Sequence, residues 1–156
     1  TDVPFFLHGG TALGSGKGEV IVNLPAPNAN WVVVSNPMPT QIEKKTARLY
    51  SLLEVSHYSQ KPERSEKLIE CLRFRDAIGG KLFNSFELIA PQVYSEYVTH
   101  RTAFFENGAE NVLLSGSGPS LFSVMGNKAS ALHLKTAMER QGYLTSAVRL
   151  LHRWKI

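Results

Sequence analysis

The last third of the chain restricts the fold most. "NVLLSG" (111–116) and "SLFSVMG" (120–126) are short apolar runs, "NKASALHLKTAMERQGY" (127–143) has helical periodicity, and "YLTSAVRLL" (143–151) is a third apolar run. Asn127 is placed to cap the helix, and Gly142 sits just past its end. With a helix before it, a strand–strand–helix–strand order is what a split βαβ, ferredoxin-like sheet needs. The pattern therefore predicts an α+β fold.

Upstream, "GEVIVNLP" (18–25) and "NWVVVSNP" (30–37) are β-branched runs bounded by Gly, Asn and Pro, and read as strands joined by the turn-rich "PAPNAN". "TQIEKKTARLYSLLEV" (40–55) is an amphipathic helix, or a loop leading into one, with Thr40 placed to cap. "KPERSEKLIECLRF" (61–74) repeats the helical pattern. "KLFNSFELIAPQVYSEYVTHRTAFFENG" (81–108) carries two helical stretches punctuated by Pro91 and ending at Gly108.

At 43% apolar and 19% charged residues, the 156-residue chain can bury the core of one domain, or of a compact half of a larger one. Its formal net charge of +4 suits anionic ligands. The basic residues are spread out, with Lys44-Lys45 and the stretch 61–67 mixed with Glu and polar residues, so no nucleic-acid partner is expected. A single cysteine, Cys71, excludes an internal disulfide and a Cys-based metal cluster, and the five His show no metal-ligand spacing. No apolar run approaches the ~18 residues of a membrane span and no signal peptide is visible, so a cytoplasmic protein without a membrane partner is expected. "TDVPFF" opens without an initiator Met and has strand-like apolar content, which suggests a processed or truncated chain.

Two glycine-rich stretches stand out. In "LLSGSGPSLF" (113–122), Gly116 and Gly118 permit positive φ, and the amides of Gly116, Ser117 and Gly118 are candidate anion donors. Pro119 has no N–H and stiffens the exit. The same residues also suit a plain strand connection, and the Gly-Lys-Ser/Thr of a P-loop is absent. "HGGTALGSGKGE" (8–19) is followed by a strand rather than a helix, so no helix N-terminus is available for a phosphate. It reads as a β-turn and bulge region. Asp2 by itself is a turn or cap residue, and Tyr50 an aromatic on an amphipathic face.

Taken in order, "DVPFFLHGGTALGSGKGE", "TARLYSLL", "NSFE" and "LLSGSGPSLF" resemble the GHMP kinases, the superfamily of galactokinase, homoserine, mevalonate and phosphomevalonate kinases. Within it they resemble the branch acting on a cytidyl diphosphate alcohol in the non-mevalonate isoprenoid pathway. The resemblance covers essentially the whole chain, but only the C-terminal half or slightly more of such an enzyme. It implies a ferredoxin-like GHMP kinase C-terminal domain over 37–156, an antiparallel sheet with helices mainly on one face. Residues 1–36 would be trailing strands of the N-terminal kinase domain or the start of this one.

By the same resemblance, Asp2 matches the catalytic aspartate that takes the proton from the substrate hydroxyl. Tyr50 matches the aromatic that stacks on the cytosine ring, Thr46 the threonine four residues earlier, and Gly116, Ser117 and Gly118 the third motif near the phosphates. Ser120 stands where many members have Thr. The implied cofactor is ATP with Mg2+, bound mostly by N-terminal residues. The implied partner is a small cytidyl diphosphate substrate, with a homodimer left open. The motif-one lysine and the Pro-x-x-x-Gly-Leu-Gly-Ser-Ser-like phosphate loop are absent from these residues, so a kinase parent is expected and an inactive fragment. Alternatives are another small-molecule GHMP kinase, or a non-catalytic ferredoxin-like module that binds nucleic acid.

Overall fold

A computed structural model describes residues 3–37, 44–58 and 63–151. Its elements are α1 (Val3–His8), β1 (Thr11–Ser15), β2 (Val20–Leu24), β3 (Trp31–Asn36), α2 (Lys45–Leu52), α3 (Glu63–Phe74), α4 (Ala90–Val93), α5 (Tyr97–Glu106), β4 (Leu113–Leu114), β5 (Leu121–Met125), α6 (Lys128–Arg140) and β6 (Leu144–Arg149). Short 3₁₀ turns lie at Val55–His57, Gly79–Lys81 and Ser85–Leu88.

The main sheet runs β4-β5-β3-β6, with every pair antiparallel. With helices between β3 and β4, and α6 between β5 and β6, this is the βαββαβ, ferredoxin-like arrangement expected. β3 is central: Val33 stands opposite Ser123 on one side and Ala147 on the other. The alternate residues Val33, Leu121 and Met125 join Phe104 of α5 and Ala131, Leu134 and Met138 of α6 in the core. On the reverse face Leu144 and Val148 are exposed, so the helices lie mainly on one side. Among the described residues no helix is long and apolar enough to cross a membrane.

α6 shows how sequence makes an element. Asn127 Oδ1 accepts from the Ser130 amide at 2.9 Å, and Ala131, Leu134 and Met138 recur at the spacing of one helix face. α3 carries Glu63 and Glu66 in its first turn and Arg73 in its last, as the helix dipole favours.

Four expectations are corrected. The strand-like start is the helix α1, since a six-residue apolar run cannot distinguish the two periods. Thr11–Ser15, expected as turn and bulge, is a strand paired with β2 in a two-stranded hairpin whose connection is Gly16–Glu19. Pro91 lies in the first turn of α4, where its missing N–H costs nothing, so it begins a helix and does not interrupt one. The strand at 111–116 shrinks to Leu113–Leu114, because the Asn111 side chain replaces the ladder. It accepts from the Val124 amide at 2.8 Å and donates to the Val124 carbonyl at 3.0 Å. The cap expected at Thr40 lies outside the described residues.

The core also holds a polar relay. Thr145 Oγ1 donates to Ser35 Oγ at 3.0 Å, and Ser35 Oγ lies 2.9 Å from His100 Nε2. The His100 ring stacks on Tyr143 with centroids 4.4 Å apart, and the residue is 1% exposed. Burial pulls its pKa down to about 4, so it is neutral at physiological pH.

Candidate functional site

The six residues between Leu114 and Leu121 form a closed loop. The Ser115 amide donates to the Ser120 carbonyl at 2.8 Å, and the Gly118 amide donates to the Ser115 carbonyl at 2.8 Å. Gly116 and Gly118 both have positive φ, +55° and +70°. They are not equivalent. A Cβ at Gly118 would stand 2.7 Å from Leu114 Cδ1 and 3.0 Å from Tyr94 Cε2, whereas one at Gly116 meets nothing within 4 Å.

Each carbonyl of 116–118 is held by a different side chain. Asn84 Nδ2 donates to the carbonyls of both Leu114 and Gly116, at 2.8 Å each. The Tyr94 hydroxyl donates to the Ser117 carbonyl and Lys45 Nζ to the Gly118 carbonyl. In a trans peptide C=O and N–H point opposite ways, so pulling the Gly116 carbonyl toward Asn84 turns the Ser117 amide away from it. The Gly118 amide is spent on the turn. Among the described residues, the amides of Gly116 and Ser117, with that of Ser120 at the loop exit, are therefore left to meet a ligand.

The clamp is itself supported. Asn84 Oδ1 accepts from the Phe86 amide at 3.0 Å. Glu87 Oε1 accepts from the Leu114 amide at 2.9 Å and, more weakly, from the Tyr97 hydroxyl at 3.4 Å. Burial, reinforced by the Glu87 charge, pushes the Tyr97 pKa up to about 12. The Ser120 hydroxyl donates to Asn36 Oδ1 and ties the loop exit to β3. Sequence reasoning used "NSFE" only as a landmark and missed Asn84 and Glu87 as supports. The signal was available: Asn84, Ser85 and Glu87 interrupt the otherwise apolar "LFNSFELIA". Nothing in the sequence marked Lys45 or Tyr94.

α2 brings the remaining candidates to this loop. Leu49 is wholly buried and anchors the helix, while Thr46 and Tyr50, four residues apart, share its exposed face. Thr46 Oγ1 lies 3.0 Å from Ser117 Oγ, across 71 residues of sequence. Tyr50 is 58% exposed and borders an open groove of about 570 Å³. Phe86, Phe83 and Tyr58 line its walls, Leu113 and Phe122 come from the reverse face of the sheet, and Gly116 stands at its end. The Arg64 guanidinium covers the Phe83 ring at 3.9 Å. Such a groove suits a planar ring against Tyr50 and an anion at the loop amides. Asp2 lies outside the described residues. Among the described residues no three His, Cys, Asp or Glu converge to hold a metal ion.

No family model matches the chain. It is 37% identical over 156 residues to the 4-diphosphocytidyl-2-C-methyl-D-erythritol kinase of Dehalococcoides mccartyi, covering 95% of this chain and 53% of that protein. The chain spans about half the length of the curated relatives it matches. Among solved structures it is similar to a 4-(cytidine 5'-diphospho)-2C-methyl-D-erythritol kinase, with TM-score 0.77 and 27% identity over 96% of this chain and 53% of that one. It shares the fold of the homoserine kinase from Cytophaga hutchinsonii, with TM-score 0.71 and 19% identity over 96% of this chain and 50% of that one. Along nearly its whole length, the chain is similar to about half the length of 4-diphosphocytidyl-2-C-methyl-D-erythritol kinases.

Proposed function

We propose that the protein carrying this chain transfers the γ-phosphate of ATP to the 2-hydroxyl of 4-diphosphocytidyl-2-C-methyl-D-erythritol, a step of isoprenoid biosynthesis in the cytoplasm. The observation that carries this reading is the meeting of Thr46 and Ser117 at 3.0 Å, which sets the Tyr50 helix against the glycine loop at one groove. In this reading the cytosine stacks on the exposed Tyr50 ring, and the amides of Gly116 and Ser117 receive phosphate oxygens.

Phosphoryl transfer rests mainly on positioning and on stabilising charge. The clamped loop fits that requirement, because its donors are fixed before the ligand arrives. Asp2, matched by resemblance, orients the substrate hydroxyl and takes its proton. The loop amides fit the phosphates of ATP. Mg2+ has no converging ligands among the described residues and would come with those phosphates.

The test uses the full-length protein with ATP and the cytidyl alcohol. The expected result is ATP-dependent phosphate on the 2-hydroxyl, seen by phosphorus NMR, abolished in Asp2→Asn while substrate binding persists. Turnover of homoserine or mevalonate in place of the cytidyl alcohol would move the protein to another GHMP kinase.

A further inference from the structure

We propose that Lys45 is a phosphate-binding residue of this site, an ammonium that the fold docks on the glycine loop to meet a diphosphate oxyanion. The inference rests on the functional reading above and adds a residue to it. Lys45 is part-buried and its Nζ donates to the Gly118 carbonyl. An ammonium has three donors, and among the described residues Lys45 makes no other hydrogen bond and no ion pair. Among the described residues its charge is therefore uncompensated, at the loop that carries the free Gly116 and Ser117 amides.

A carbonyl needs no charge to be satisfied. The two preceding carbonyls show this, since a neutral amide (Asn84) holds Gly116 and a neutral hydroxyl (Tyr94) holds Ser117. A cation at the third carbonyl exceeds what the loop requires. It is also out of place for its helix. α2 opens with Lys45 next to its N-cap Lys44, has no acidic residue in its first turn, and follows with the exposed Arg48, although cations at a helix start oppose the dipole. Local rules broken without local compensation are expected at functional positions. An incoming phosphate supplies the missing counter-charge.

The phosphate could belong to ATP or to the diphosphate of the cytidyl substrate, and separate kinetic titrations in the full-length enzyme tell them apart. Lys45→Met and Lys45→Gln should each raise KM for one of the two substrates roughly 10- to 100-fold, with Lys45→Arg staying near wild type. A rise for ATP assigns the nucleotide phosphates, and a rise for the cytidyl alcohol assigns its diphosphate. Lys45→Gln keeps a neutral donor for the Gly118 carbonyl, so a Lys45→Gln enzyme with both KM values within twofold of wild type would overturn the proposal. Binding of inorganic pyrophosphate, measured by calorimetry, separates this from the functional reading. Failure of the wild type to phosphorylate the cytidyl alcohol sinks that reading alone, because pyrophosphate binding lost in Lys45→Gln still supports the site. Equal pyrophosphate binding by both proteins refutes it.

Discussion

Tyr50 and Phe86 meet edge to face, with ring centroids 5.0 Å apart and planes at 86°. The contact fixes the Tyr50 ring from one side and leaves the residue 58% exposed toward the groove. A stacked base contributes about 1–3 kcal/mol per aromatic. Tyr50→Ala in the full-length enzyme should therefore raise KM for the cytidyl substrate by about 10- to 100-fold, with kcat little changed, and Tyr50→Phe should stay close to wild type. Steady-state kinetics decide it. An unchanged KM in Tyr50→Ala removes the stacking role.

The two loop glycines should respond differently to the same methyl group. Gly118→Ala must adopt φ near +70° and also displace Leu114 and Tyr94, the latter being the side chain that holds the Ser117 carbonyl. Left-handed strain and overpacking together predict a loss of roughly 2–4 kcal/mol. Gly116→Ala meets open space and should lose only about 1–2 kcal/mol, from φ alone. Urea unfolding of the two variants measures the difference directly. Equal losses would mean that the Gly118 contacts relax at no cost.

His100 should make stability depend on pH in a defined window. Its pKa is about 4 in the fold, against roughly 6.5 in an unfolded chain. Between these values the unfolded chain binds a proton that the native state refuses. The contribution is complete above about pH 6.5 and is lost as pH falls toward 4, by roughly 3 kcal/mol in total. His100→Gln removes the titration. The difference in unfolding free energy between wild type and this variant should slope across that window and be flat above it. A flat difference throughout would show that the histidine is not held neutral.

Periodicity exposed the main sheet and its helices because those segments are one-sided. α6 buries a regular stripe, and β5 alternates buried and half-buried residues. It could not resolve α1, which has no buried residue to impose a period. The end of β4 was hidden for another reason, since a side-chain amide from Asn111 does the work of backbone there. At the site, the resemblance pointed to the glycine loop, Thr46 and Tyr50, and the fold sets Thr46 against Ser117 of that loop. The clamp was not legible. Asn84, Tyr94 and Lys45 reach the loop from positions 23 to 73 residues away, and no local pattern records which carbonyl a distant side chain will meet.

The central position of β3 bears on how the chain folds. Val33 precedes its partners Ser123 and Ala147 by about ninety and more than a hundred residues. The sheet therefore cannot nucleate on a local hairpin through its middle strand, and closing those long loops must come before most of the core exists. During synthesis β3 waits unpaired until the C-terminal strands emerge. "WVVVSN" is a β-prone, uncharged segment, and over that interval it is the part of the nascent chain most in need of protection from other strands.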